Sequence, residues 1–184
     1  MRLSRQLSSF LVLSLCFAAA AACAQSPWPA GVSLGDSRDN VRIALDRDNL
    51  PAGSTPDGSL QTNSDYPVSL PGLRYPIPMM LTFAFDTNSR LAEMTLSLDL
   101  PAMRRDWAAV GSDEALYNFA ADKLAFALAA NHGAPIFSSP SCNSATDAPC
   151  TIQWREINRL TIQLERIPNG HHLRIHYLPP GGIL

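Results

Sequence analysis

The chain has 184 residues, 46% of them hydrophobic, and its 14 basic and 16 acidic residues give a net charge of −2. This length suits one domain with a real hydrophobic core. The near-neutral charge and the lack of any basic run argue against a nucleic acid as partner. The sequence carries no phosphate-binding loop and no nucleotide signature, so we expect no cofactor.

The first 24 residues have the organisation of an export signal. Arg2 and Arg5 give a basic start, residues 10–17 form an apolar stretch, and a small-x-small cleavage pattern ends at Ala24. The apolar stretch is too short for a membrane span and lacks a stop-transfer flank. We therefore predict cleavage after Ala24 and a mature protein that is periplasmic or secreted.

Cys23 offers an alternative to this simple cleavage. A cysteine preceded by small residues can be lipidated in bacteria, and the mature protein would then begin at Cys23, anchored to the outer membrane. Ala20 stands where such signals usually carry a bulky aliphatic residue. Membrane attachment is therefore expected only if Cys23 is lipidated.

The first predicted element after the leader is a helix at about residues 37–47. Asp36 or Ser37 can cap it, because a short polar side chain accepts hydrogen bonds from the free N–H groups. Residues 48–78 contain six prolines and several Gly, Ser and Asn residues. They are predicted to form a long loop with one short strand between Tyr66 and Leu73.

A β-hairpin is predicted next, at residues 79–98. Apolar and small or polar residues alternate on both sides of a turn at residues 86–89. The apolar positions shift by one within residues 91–94, which indicates a bulge. Residues 99–111 then form a connection with room for one helical turn.

A long helix is predicted at about residues 113–131. Ser112 or Asp113 can cap its start, and Gly133 can end it in a left-handed conformation. The loop that follows contains Cys142 and Cys150. In an exported chain two remaining cysteines favour a disulfide, whereas a metal site would need further ligands nearby.

The C-terminal part, residues 150–178, alternates between apolar and polar residues three times. This period of two predicts a three-stranded antiparallel meander with one apolar and one polar face. Asn169-Gly170 is a strong signal for its second turn, because both residues tolerate positive φ. The predicted apolar face consists of Ile152, Trp154, Leu160, Ile162, Leu164, Leu173, Ile175 and Tyr177.

Together these elements predict an α+β fold. The antiparallel sheet would contain the meander and the earlier hairpin, and one short and one long helix would cover it. We expect a single domain at residues 25–184. The order helix, loop, strands occurs twice, so residues 31–99 and 112–178 form a loose internal repeat of two tandem α-β units.

One part of this pattern resembles a known group of proteins. The Gly-Val-Ser-Leu-Gly before the first helix, the later Phe-Ala-Phe-Asp-x-Asn-x-x-Leu and a second such unit resemble small exported α/β repeat domains. These are the β-lactamase-inhibitor-protein-like domains and the outer-membrane assembly lipoproteins that share their fold. The resemblance covers most of the mature chain and implies a repeat fold, but the 48–78 insertion and the three-stranded second half depart from it. It identifies no binding residues.

No catalytic motif is complete in this sequence. Gly35-Asp36-Ser37 resembles the opening of GDSL-type esterases, but Arg38 replaces the leucine and no Asp-x-x-His follows. Helix capping accounts for these residues. His172 and His176 share a strand face but lie about 13 Å apart, at about 3.4 Å per residue, so one metal ion cannot join them.

Four carboxylates could pair as general acid and base, as in glycoside hydrolysis, but the sequence does not set their separation. These are Asp86, Asp99, Glu156 and Glu165. Glu165 is expected to pair with Arg155 or Arg174 across strands.

The polar face of the meander is the remaining candidate site. Its residues are Thr151, Gln153, Arg155, Thr161, Gln163, Glu165, His172, Arg174 and His176. The ordinary interpretation is a solvated surface, and the functional one is a protein-binding face that is flat, rigid and reachable. We select Arg155, Gln163, Arg174 and His176 as its binding residues.

The lack of an assembled nucleophile and base favours binding over catalysis. We expect a non-enzymatic exported protein of the bacterial envelope that binds a protein partner in the envelope. It would act as an inhibitor, an immunity-type protein or an envelope accessory factor. The alternatives are a small hydrolase of cell-wall or ester substrates and a structural lipoprotein anchored at Cys23.

Overall fold

The computed structural model describes residues 31–63, 66–70, 73–107, 111–143, 148–155 and 160–179. The predicted leader with Cys23, the carboxylate of Glu156 and the predicted turn at residues 157–159 lie outside the described residues.

Within the described ranges the chain forms three helices and one antiparallel sheet of nine strands, which confirms the predicted α+β class. The helices are α1 Arg38–Arg47, α2 Leu100–Asp106 and α3 Asp113–His132. The strands are β1 Ala52–Ser54, β2 Leu60–Thr62, β3 Tyr66–Val68, β4 Ile77–Phe85, β5 Leu91–Leu98, β6 Phe137–Ser138, β7 Cys150–Arg155, β8 Thr161–Ile167 and β9 His172–Leu178.

Both predicted helices form, and each is capped by a serine. The Ser37 side chain accepts a hydrogen bond from the N–H of Asn40 at the start of α1. Ser112 does the same for Ala115 at the start of α3, and Gly133 ends that helix with φ of 79°. Local capping chemistry therefore sets the start of both helices and the end of α3.

The predicted connection at residues 99–111 contains more helix than expected. It forms α2, a helix of seven residues instead of a single turn. The Asp99 side chain accepts a hydrogen bond from the N–H of Ala102, and both Ala102 and Met103 are buried. Burial of this short apolar face stabilises a helix whose sequence alone gives only a weak signal.

The strand predicted between Tyr66 and Leu73 forms as β3, but the prediction that the rest of residues 48–78 is loop was wrong, because this segment also contributes β1 and β2. β1 and β2 have three residues each, too few to show a period of two. These two strands form because each pairs with a neighbouring strand of the sheet. β2 pairs with β4, Leu60 is fully buried, and the Thr62 hydroxyl accepts a hydrogen bond from the N–H of Leu81 at 3.1 Å.

The strand order is β1-β2-β4-β5-β9-β8-β7-β6, and β3 also pairs with β4. The predicted hairpin and meander are therefore parts of one sheet, joined in its middle by the antiparallel pair β5–β9. The predicted bulge is confirmed. Ala84 pairs with Glu93 and Phe85 with Leu91, which leaves Ala92 as the extra residue.

The three helices and one face of the sheet enclose the core. The buried sheet residues include Phe83, Leu96, Ile175 and Trp154, which belong to one hydrophobic cluster together with the apolar sides of α1 and α3. The Trp154 indole N–H also donates a hydrogen bond to the carbonyl of Gly133 at 3.1 Å.

No helix in the described part of the chain is long and apolar enough to cross a membrane.

Candidate binding face of the sheet

The register of four neighbouring strands places polar side chains in rows on the face opposite the helices. Thr95, His176, Gln163 and Gln153 are successive partners across β5, β9, β8 and β7, and we call them the polar row. Ser97, Arg174, Glu165 and Thr151 form the row beside it, which we call the charged row. Strand alternation directs both rows away from the core, because their neighbours along each strand are the buried apolar residues.

The polar row is far less exposed than the sequence indicated. Gln163 is only 5% exposed and His176 only 6%, although both were expected on a solvated face. Both lie on central strands, where side chains from the strand on either side cover them. The Gln153 side-chain amide donates a hydrogen bond to Oε1 of Gln163 at 2.8 Å, so the buried carbonyl of Gln163 is satisfied.

His176 lies between two carboxylates. Its Nδ1 is 2.6 Å from Oε1 of Glu93 and its Nε2 is 3.5 Å from Oε2 of Glu165. An ionised carboxylate can only accept, so Nδ1 carries the proton that it donates to Glu93. Glu165 in turn lies 3.6 Å from Nη1 of Arg174, as expected for a cross-strand ion pair. The result is a continuous chain of charged and polar groups across β5, β9 and β8.

The pKa of the Glu93 carboxyl is clearly lowered. The hydrogen bond from His176 lowers its pKa below the ordinary value, and partial burial opposes this effect. A hydrogen bond from the Thr95 hydroxyl, 2.9 Å from Oε1, and the charges of His176 and Arg174 lower the pKa further. Glu93 is therefore an ionised acceptor at neutral pH, and this holds the His176 ring in one orientation.

The cluster does not have the geometry of a nucleophile relay. In such a relay the hydroxyl meets one nitrogen of the histidine ring and the orienting carboxylate meets the other. Here the Thr95 hydroxyl, at 3.3 Å, and Glu93 both meet Nδ1, while Nε2 faces Glu165. Among the residues that the structure describes, no group of three His, Cys, Asp or Glu side chains could hold a metal ion.

The four selected binding residues occupy different environments. Arg155 is exposed at the end of β7, and Arg174 is partly exposed in the charged row. Gln163 and His176 are buried beneath their neighbours and act as supports for the face. The two arginines are therefore the selected residues that a partner could contact directly.

Of the carboxylates proposed for acid–base chemistry, the three within the described ranges do not meet in pairs. Asp86 accepts hydrogen bonds from the backbone N–H groups of Asn88 and Arg90, and Asp99 caps α2. Both therefore have structural roles. Glu93 was not selected from the sequence, although Glu93, Thr95 and Ser97 follow the same alternation. The pairing of β5 with β9 is what brings Glu93 beside His176.

A disulfide borders this face. Cys142 and Cys150 are bonded, as predicted, with their Cα atoms 4.8 Å apart. The bond joins a short 3-10 helix, Pro140–Asn143, to the start of β7. The Ser139 hydroxyl also accepts a hydrogen bond from the N–H of Thr151 at 3.0 Å, so two independent links fix this loop to the edge of the sheet.

No family model, no curated protein and no solved structure matches this chain. The resemblance to exported α/β repeat domains therefore stays a prediction, and so does the internal repeat.

Proposed function

We propose that this protein is a non-enzymatic binding protein of the bacterial envelope, which contacts a protein partner through the open face of the sheet. It would act there as an inhibitor, an immunity-type protein or an accessory factor. The observation that carries the proposal is a pair of side-chain hydrogen bonds on this face, from Gln153 to Gln163 between β7 and β8 and from His176 to Glu93 between β9 and β5. It supports a face on which the guanidinium groups of Arg155 and Arg174 are presented to solvent.

Preorganisation is the physical reason to favour binding. Side chains that already hold one another lose little conformational entropy when a partner docks, so more of the contact energy appears as affinity. Gln153 is held by Gln163, and His176 by Glu93. Arginine is enriched at the energetic centres of interfaces because its planar fork and long stem bind and pack at once.

A small hydrolase of cell-wall or ester substrates is the second candidate. It is favoured by one observation, a histidine placed between two carboxylates of which Glu93 is ionised. The burial of His176 and the meeting of Thr95 and Glu93 on the same ring nitrogen speak against it. Hydrolysis of a peptidoglycan preparation or of p-nitrophenyl acetate that is lost in His176→Ala, with the fold intact, would favour this candidate.

Site-specific photo-crosslinking in envelope fractions tests the binding proposal. A benzoylphenylalanine at position 155 should give a discrete crosslinked species, and Arg174→Ala in the same chain should weaken it. The matched control is benzoylphenylalanine at Ile43, which is 66% exposed on α1, on the helix side of the sheet. Equal crosslinking from both positions, or none from position 155, would contradict a role for the open face.

The proposed location has its own test. Cell fractionation should place the protein in the periplasm or the medium, and the intact mass should correspond to a chain that starts at Gln25. A mass that corresponds to a lipidated Cys23 at the N-terminus would replace this location with the lipid-anchored alternative.

A further inference from the structure

Three aromatic rings form a corner on the helix side of the molecule, away from the polar row. The rings of Tyr75 and Trp107 meet edge to face, with centroids 5.5 Å apart and planes at 86°. Phe119 of α3 supports Trp107 from the other side at 5.0 Å. Tyr75 is 52% exposed, so a large aromatic surface is left open to solvent here.

Two adjoining cavities open at this corner and share Tyr75 and Trp107. The larger cavity has a volume of about 350 Å³, and Pro76 and Asp106 are the other described residues that line it. The smaller, of about 70 Å³, extends past Arg74 towards Phe119 and Lys123. The larger volume falls within the range of small-molecule sites, which begins at about 300 Å³.

The two cavities carry opposite charges. Asp106 is exposed at the larger one and makes no ion pair with any described residue. At the smaller one the Arg74 guanidinium lies 5.3 Å from the Tyr75 ring centre and the Lys123 ammonium 5.6 Å from that of Phe119. Neither cation has an ion-pair partner among the residues of the described ranges. Two perpendicular rings beside a carboxylate suit an organic ammonium group, and two cations at one cavity suit an anion.

We propose that this aromatic corner binds a small zwitterion. The ammonium group would occupy the larger cavity between Tyr75, Trp107 and Asp106, and a carboxylate or phosphate group would meet Arg74 and Lys123. The volume of the larger cavity suits a free small molecule, which we take as the occupant. This site lies on the helix side and is independent of the partner-binding face proposed above.

Phosphocholine is a suitable probe because it can be divided into two fragments of single charge. Titration calorimetry of the full mature chain should show phosphocholine binding at least tenfold more tightly than either choline or inorganic phosphate. Such an advantage is expected when one molecule satisfies both halves of a site at once. Equal affinity for phosphocholine and choline, or no binding of any probe, would overturn the proposal.

Variants that remove one charge each test which part of the site binds the ammonium group and which part binds the anion. Asp106→Asn should weaken choline and phosphocholine about threefold or more and leave inorganic phosphate unchanged. Lys123→Gln and Arg74→Gln should weaken phosphate and phosphocholine and leave choline unchanged, because each change removes one partner of an exposed charge contact. All three side chains are exposed, so the fold should persist. Asp39→Asn and Arg42→Gln on α1 are matched controls and should change nothing.

Two further measurements complete the test. Tyr75→Ala should weaken both choline and phosphocholine, because it removes one wall of the corner without touching a buried side chain. Vesicles of phosphatidylcholine should not sediment the protein. Sedimentation with vesicles in the absence of phosphocholine binding would overturn the assignment to a free small molecule.

Discussion

Glu93 is a half-buried carboxylate on the open face, and its contacts couple the stability of the protein to pH. His176 and Thr95 both donate to Oε1 of Glu93, and these bonds lower its pKa. A lowered pKa in the folded state means that the ionised form is the one that folding stabilises. The stabilising effect is therefore complete above the ordinary pKa and is lost as the pH falls through the lowered value.

Glu93→Gln should accordingly destabilise the protein at pH 6–7 and much less at pH 3. The ordinary pKa of this carboxyl is 4.5, so the difference in unfolding free energy between parent and variant should shrink below that pH. Urea denaturation at several pH values from 3 to 7 measures this difference. Asp46→Asn, an exposed carboxylate of α1, is the control. A difference that stays constant over the whole range would contradict the assigned role of Glu93.

Arg155 and Arg174 should carry the binding energy of the open face. Replacement of either by alanine is expected to cost about 2 kcal/mol or more of affinity for the crosslinked partner, as for residues at the centre of an interface. Titration of the partner measures the loss, and thermal melts show whether the fold is kept. Arg42→Ala on α1 serves as the control. If both variants bind like the parent, this face is only a scaffold.

Trp154 joins two elements, since it lies on β7 and bonds to the residue that ends α3. Its side chain is fully buried, and its indole N–H donates to the carbonyl of Gly133. The long helix is therefore held to the sheet both by apolar contact and by one directed hydrogen bond. A substitution at this position should therefore weaken the packing of α3 on the sheet more than it weakens the helix or the strand itself.

Trp154→Ala should lower the unfolding free energy by about 3–5 kcal/mol, as for other large-to-small changes in a core. Trp154→Phe keeps most of the apolar volume but loses the donor, so it should cost clearly less, mainly the loss of a hydrogen bond at about 1 kcal/mol plus a small cavity. Chemical denaturation of both variants measures the two values. Equal losses would show that the hydrogen bond to Gly133 matters more than packing.

The disulfide stabilises the loop before β7. Replacement of Cys142 and Cys150 by serine should lower the unfolding free energy by roughly 2.5 kcal/mol, because the short closed loop restricts the unfolded chain. Intact mass before and after reduction and alkylation establishes the bond in the purified protein. Denaturation of the double variant gives its energetic effect. Two free thiols in protein taken from the periplasm would contradict the pairing.

At the scale of the whole molecule, the pair β5–β9 joins the two halves of the chain. In the strand order, β1 to β5 form one half of the sheet and β6 to β9 form the other half. Core residues from both halves, such as Leu45, Phe83, Leu124 and Ile175, belong to one cluster. Separation of the two halves would therefore break both the sheet and the shared core.

The protein should consequently unfold in one cooperative transition. Tryptophan fluorescence, which reports on Trp107 and Trp154 as well as Trp28, and far-ultraviolet circular dichroism should give the same midpoint in urea, as for a two-state domain. Two separated transitions would mean that residues 31–99 and 112–178 fold as independent units.

Local chemistry in the sequence was enough to predict α1, α3, the hairpin, the meander and the disulfide. Serine caps, a terminal glycine and a period of two act within a few residues of one another, so they can be recognised without knowledge of the rest of the fold. The short strands β1 and β2 carry no such signal and exist because β2 pairs with the edge of β4 and β1 pairs with β2. The burial of Gln163 and His176 was decided by tertiary structure too. A period of two determines which face a side chain occupies, but not which neighbours cover it. The pairing of β5 with β9 placed Glu93 beside His176, and that contact depends on residues more than 80 positions apart in the chain.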